Sequence, residues 1–286
     1  MTIPQGPPQS RVRRVVYRTR GYALGPITRL VSPSDVGQLI KPFVFLDYFD
    51  IEPRRAPAFG FHPHSGIATL TLVLEGRVSY EETSGTKGTI EPGGVEWMRA
   101  SRGVWHTGGA AGTARARGYQ LWVALAPEME SSESEAQYLG AQHFQTDGPA
   151  RVILGRYGAA ASEVRAPTTI NYLEVGLQKR ARWRYQPPEK HNVAWVTVHE
   201  GKLATPEIVD SGELAVFEEL NAAVEFEALE DTGFILGSAV KHPHDLVLGS
   251  YSVHTSAKAL EAGEAEIRRI GNRLRTEGRL QEGLEL

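Results

Sequence analysis

Short runs of aliphatic, β-branched and aromatic residues, cut at intervals by glycine and proline, run along most of the chain and predict many short strands joined by turns. From Ile67 to Leu74 the positions Ala68, Leu70, Leu72 and Leu74 alternate with Ile67, Thr69, Thr71 and Val73, a period of two that ends at the turn Glu75-Gly76. Further strands are expected at 77–82, 94–98, 119–124, 193–199, 214–218 and 233–236. With 30 glycines spread among them, a sandwich or barrel is favoured. One amphipathic helix is predicted near the end, where Ser256 can cap a segment carrying Leu260, Ile267, Ile270 and Leu274 among Glu and Arg. It should lie across a barrel.

A long-period repeat overlies this pattern. The ten residues Ile67–Gly76 have a counterpart in Asn192–Gly201, both strands closing on Glu-Gly at an offset of 125 residues. That spacing is domain-sized, so duplication of one barrel explains it better than a solenoid of short repeats. A length of 286 residues suits two domains of ordinary size. The acidic, serine-rich stretch 127–135 reads as a surface segment leading into a linker, which divides the chain into barrels at 1–140 and 141–286, the second carrying the helix.

Composition removes several function classes. Hydrophobic residues make up 41% and charged residues 23%, as in an ordinary folded chain. Lys and Arg number 31 against 34 acids, so no global positive field draws the chain to nucleic acid or anionic lipid. There is no cysteine, which excludes disulfides, thiolate nucleophiles and iron-sulfur clusters and leaves His, Asp, Glu or Tyr to hold any metal. The opening MTIPQGPPQS has neither a basic nor an apolar leader segment, and no run approaches a membrane span. A cytoplasmic monomer without direct nucleic-acid or membrane binding is the expectation.

His62 and His64 stand two residues apart beside a strand, so both imidazoles face one side of the sheet. Two imidazoles seldom hold a transition metal alone, and His106, which follows its own turn and strand at 91–98, is the best third ligand. The second His-Pro-His, at His242 and His244, falls after a strand in a polar turn and reads as a solvated loop. His143, His191, His199 and His254 are single histidines, for which packing or exposure is the better reading. Five arginines between Arg11 and Arg20 alternate with apolar residues, the mark of an edge strand protected by charge more than of a phosphate-binding strip. The glycine pairs near Gly93 and Gly108 lack the spacing of a nucleotide loop.

Phe61-His-Pro-His-Ser-Gly66, the threonine-rich strand to Gly76, Pro92-Gly93, Glu96-Trp97-Met98 and Gly103-Val-Trp-His106 together resemble the pirin signature, in order. The segment 42–49 is similar to that family's opening, and weaker likeness continues to the terminal helix. The resemblance implies an all-β fold of two cupin (jelly-roll-like) barrels in tandem with a short C-terminal helix. It also implies one divalent metal in the N-terminal barrel on His62, His64 and His106. Iron comes first, nickel, copper and zinc are alternatives, and a metal-free pocket is the remaining reading. Flavonol-cleaving dioxygenase activity on a small aromatic or anionic compound follows for some members, and for others a non-catalytic regulatory role through a protein partner.

The departures from the family bear on chemistry. Where members carry a ligating glutamate two residues beyond the last histidine, this chain has Gly108; a second family glutamate is Ala68, and a histidine is Tyr80. Alternation puts Ala68 on the face of His64, so the pocket is expected to have lost acids on two sides. Three neutral imidazoles on a divalent ion leave a charge of two, which favours a bidentate anionic substrate. Tyr80, Glu81 and Glu82 are the nearby candidates for a general base. In the repeat, the places of His62 and His64 fall on Pro187 and Glu189, so the second barrel is expected to be structural.

Overall fold

The apolar runs become strands, and each strand finds its partners in one of two barrels whose sheets repeat the same order. The computed structural model describes residues 13–52, 59–83, 85–167 and 169–280; the opening MTIPQGPPQS and Arg11 lie outside them. In the first barrel a seven-stranded sheet runs Glu135–Leu139, Val95–Arg99, Ile67–Glu75, Ala116–Ala124, Phe43–Ile51, Ile27–Val31, Tyr22–Leu24. A four-stranded sheet, Phe59–His64, Val104–Ala110, Val78–Glu82, Lys87–Ile90, belongs to the same barrel. The second barrel repeats this with Val15–Thr19, Leu214–Phe217, Val193–Glu200, Thr232–Ala239, Ile170–Leu177, Ala150–Leu154, Thr146–Asp147, and with Arg182–Tyr185, Val224–Ala228, Lys202–Thr205, Glu207–Asp210. The two repeat strands, Ile67–Glu75 and Val193–Glu200, occupy the same third place in their sheets. Duplication of one barrel is therefore visible in topology as well as in sequence, and the fold is the expected all-β double cupin.

The division of the chain is more interleaved than the expected 1–140 and 141–286. Among the described residues, one compact unit takes those within 21–145, 162–165 and 241–280; the other takes those within 13–20, 146–161 and 166–240. The terminal helix Ala257–Thr276 thus belongs with the first barrel, not the second. Ser256 caps it as expected, accepting from the Ala259 amide at 3.2 Å. Ile267, Ile270 and Leu274 are buried on its inner face, and Trp105 donates its indole N–H to the Ile267 carbonyl at 2.7 Å. The stretch 127–135 is not a plain surface linker either. Glu130 is buried, where it accepts from the Thr255 amide at 2.7 Å and from His254 Nδ1 at 3.2 Å.

The arginine-rich strand Val15–Thr19 is an edge strand, paired with Leu214–Phe217. Its charges are matched locally: Arg14 meets Glu218, Arg18 meets Glu207 and Glu213, and Arg20 meets Asp210. Among the described residues no helix is long and apolar enough to cross a membrane. The interior of the second barrel is filled by Tyr185, Phe217, Phe226 and Phe234 packed with aliphatic residues, and Trp183 stacks on Phe226 at 5.6 Å. Such side chains fill the space between its two sheets.

Candidate metal centre

His62 and His64 lie on the strand Phe59–His64, and His106 lies on its antiparallel neighbour Val104–Ala110. The register sets His106 directly opposite His62, so the three rings meet by strand pairing. Their centroids are 4.5 to 5.1 Å apart, and one nitrogen from each lies within 4.8 Å of the others. Among the described residues this is the only group of three or more His, Asp or Glu so placed.

What stands behind each ring decides which nitrogen is offered. His62 Nδ1 donates to the Gly60 carbonyl at 2.9 Å and His64 Nδ1 to the Tyr251 carbonyl at 3.1 Å. A carbonyl can only accept, so the proton sits on Nδ1 and the lone pair on Nε2. His106 turns Nδ1 toward Glu96 Oε1 at 3.8 Å, and its Nε2 is buried with no hydrogen-bond partner. Burial, reinforced by His106, pushes the His62 imidazole down to about 4; the same causes hold His64 well below the usual histidine range. Both rings are neutral near pH 7, as ligands must be. An orphaned buried Nε2 beside two imidazoles in the same tautomer fits a divalent metal ion.

The histidines open onto a cavity of about 890 Å³. Phe45 and Trp122 stack at 4.0 Å on one wall, His64 meets Trp122 edge-on at 4.8 Å, and the Arg29 guanidinium lies 4.0 Å over Phe45. Next to that stack, one row of cross-strand neighbours carries polar side chains across six strands: Arg29, Asp47, Gln120, Thr71, Glu96 and Tyr138. Arg29 is paired with Asp47, and Thr71 Oγ1 lies 2.9 Å from both Glu96 Oε2 and Gln120 Oε1. A hydroxyl has one proton. With the Gln120 amide turned so that its nitrogen faces Thr71, the hydroxyl accepts from Gln120 and donates to Glu96. Burial would raise the Glu96 carboxyl, but the His106 contact and the Thr71 hydrogen bond hold it below the usual carboxylate range.

Several expectations need correction here. Ala68 does not face the pocket: it is buried with Leu70 and Leu72, while Thr71 lines the cavity. The alternation of the histidine strand does not carry across Ser65-Gly66, because Gly66, at φ +76, turns the chain from one sheet into the other. Glu81 does not line the cavity and pairs with Arg279 at 2.7 Å. Tyr80 does line it, stacked on Tyr138 at 3.8 Å, but burial and Glu96 raise its phenol pKa, which makes it a poor base near pH 7. Glu82 is buried opposite His106 and is absent from the lining. His242 is not solvated but buried, 3.0 Å from the Leu125 carbonyl.

Two site residues were not legible as such. Glu96 sits inside the motif Glu96-Trp97-Met98, and an acid between apolar neighbours in a strand was the available signal. Tyr251 acts through its backbone carbonyl from 187 residues away, which leaves no sequence signal. A set around His254 also emerges: its Nε2 lies 3.0 Å from Ser65 Oγ while its Nδ1 meets Glu130. This serine-histidine-carboxylate set is buried, and none of the three lines the cavity. It ties the turn after His64 to the segment carrying Tyr251.

A profile of the pirin family matches residues 26–123. A pirin-like protein of Caulobacter vibrioides is 30% identical over 225 residues, spanning 73% of this chain and 79% of its own length. The chain belongs to the pirin family. Another relative, from Pseudomonas aeruginosa and named as a candidate quercetin 2,3-dioxygenase, is 30% identical over 227 residues, covering 74% of this chain and 79% of that protein. The fold matches the crystal structure of a quercetin 2,3-dioxygenase from Acinetobacter baumannii with a TM-score of 0.81 at 23% identity, over 93% of this chain and 98% of that one. It also matches a bacterial pirin from Escherichia coli in complex with nickel(II), with a TM-score of 0.63 at 20% identity, over 77% and 95% of the two chains.

Proposed function

We propose that this pirin-family protein holds one divalent metal ion on His62, His64 and His106 and performs dioxygenase chemistry of the quercetin 2,3-dioxygenase kind on a planar hydroxylated aromatic compound. The observation that carries the reading is the arrangement of the three imidazoles, each with Nδ1 turned to an acceptor behind it, lining an aromatic-walled cavity. An ion held there would supply Lewis-acid chemistry and, where the metal is redox-active, electron transfer toward dioxygen, which zinc does not provide. Iron ranks first, and nickel, copper and zinc suit the same three nitrogens.

The chain's own residues bind and orient. The Phe45–Trp122 stack offers a flat apolar wall, and Gln120 and Arg29 offer donors beside it. Gly108 lines the cavity without a side chain, so no acid at that position competes with an anionic oxygen pair of the substrate beside the histidines. Each acid lining the cavity already has partners, Asp47 on Arg29 and Glu96 on Thr71, so the site suits a phenol or enol that ionises readily. The same missing ligand favours a second reading, a regulator that binds metal and ligand without turnover.

Elemental analysis of protein purified without added ions tests the first step. About one equivalent of metal is expected, and His62→Ala or His106→Ala should weaken binding by more than the roughly 10- to 100-fold that loss of an outer partner costs. Anaerobic loading with ferrous iron followed by oxygen uptake against a flavonol panel tests the second. Uptake supports the oxygenase; metal without uptake supports the regulator; no bound iron, nickel, copper or zinc sinks both.

A further inference from the structure

We propose that Glu96 supplies, from behind His106, the carboxylate that the pirin resemblance places at position 108, and does so as a positioning residue on a ligand histidine, not as a ligand. The proposal rests on the reading of the three histidines as a metal site. Its first support is placement. Glu96 is 3% exposed on the strand Val95–Arg99, and its Oε1 lies 3.8 Å from His106 Nδ1, an electrostatic contact longer than a formed hydrogen bond. The carboxylate stands outside the cluster formed by the three histidines.

The second support is how the acid is held. Thr71 donates to Oε2 at 2.9 Å, and Tyr138 donates to Oε1 at 3.5 Å. Those partners come from strands on either side of Glu96, so the carboxylate is fixed from both flanks and cannot swing to solvent. The third support is the contrast among the ligands. His62 and His64 back onto neutral carbonyls, whereas His106 alone backs onto an acid. A carboxylate drawing on Nδ1–H makes Nε2 a stronger donor and fixes the ring's orientation. It also adds one negative charge beside His106, so that a divalent ion held there would carry the net charge that a glutamate at position 108 would give.

Position 108 shows why the charge enters elsewhere. A Cβ there would stand 3.0 Å from the Ser79 carbonyl, so a side chain requires the neighbouring strand to yield. Glu96 reaches the same histidine without that strain.

The test measures nickel(II) affinity by chelator competition and records the copper(II) electron paramagnetic resonance spectrum, neither of which depends on turnover. Glu96→Gln preserves shape and the Thr71 contact; it should weaken nickel binding roughly 10- to 100-fold and change the copper hyperfine splitting. Thr71→Val, which keeps the acid but frees it, should give a smaller loss in the same direction and serves where Glu96→Gln fails to fold. Unchanged affinity and spectrum in Glu96→Gln and Thr71→Val, while His106→Ala loses binding, would overturn the role of Glu96 and leave the metal site standing. Absence of binding in the parent protein would overturn both.

Discussion

His191 is a buried imidazole with no part in the candidate metal centre, so it isolates what burial does to a histidine in this fold. It is 3% exposed, with Nδ1 2.9 Å from Ser238 Oγ, and Ser238 in turn meets the Tyr185 hydroxyl at 2.7 Å. Burial pushes its pKa down to about 4. Above the ordinary value of about 6.5 the ring is neutral in the folded and unfolded chain alike. Below it the unfolded chain takes up a proton that the folded one refuses, so stability is lost as pH falls from about 6.5 toward 4. Calorimetric melting of the parent protein should show Tm declining across that window. His191→Asn keeps a polar partner for Ser238 and cannot titrate, so its decline should be shallower; every other group is common to both proteins and cancels. Superimposable slopes would remove His191 from the acid response. Residues of this kind mark the limit of what the sequence reveals. His62, His64 and His106 were legible because spacing and turn placement converge on one face. Glu96 was not, because an acid in an apolar strand reads as solvent-facing until cross-strand register places it among Thr71, Tyr138 and His106.

At the scale of elements, the strands followed from apolar alternation, and the terminal helix from its cap and its apolar stripe. What the helix covers did not follow, because the contact is made by small residues. Gly271 lies in mid-helix, where glycine costs about 1 kcal/mol relative to alanine. Propensity alone would make Gly271→Ala stabilising. In this fold the added Cβ would stand 2.7 Å from Trp105 Cζ2, and Trp105 is fully buried and tied by its indole N–H to Ile267. Neither partner can retreat without breaking that bond or lifting the helix from the strand next to His106. The expected sign therefore reverses, with overpacking costing about 1–3 kcal/mol net. Urea denaturation checks it: a lower midpoint at unchanged slope supports close packing of helix on strand, and a raised midpoint would show the helix free to shift.

Across the whole molecule, the duplication was legible and the interleaving was not. A repeat of ten residues survives in sequence because both copies are central strands whose buried faces restrict residue choice. The edge strands carry no such mark. Glu135–Leu139 closes the outer edge of the first seven-stranded sheet, and the equivalent place in the second is taken by Val15–Thr19, from the far end of the chain. Pairing across about 200 residues has no local signature, so composition alone suggested a cut near residue 140. The contacts argue that this cut falls through both units. A fragment 1–140 would lack the carbonyl of Tyr251 that orients His64, the Ser252 and His254 partners of Ser65, and the helix over Trp105. It would also carry Val15–Thr19 without the strand Leu214–Phe217 that pairs with it. Losing the helix alone uncovers Trp105, a side chain whose burial is worth about 3 kcal/mol or more. The expectation is that 1–140, expressed alone, shows no cooperative melt by circular dichroism and no nickel binding, although it contains His62, His64 and His106. A cooperatively folded 1–140 fragment that binds nickel like the intact chain would show instead that the three histidines need nothing from residues 241–280, and that the ties from Tyr251 and His254 are incidental to the site.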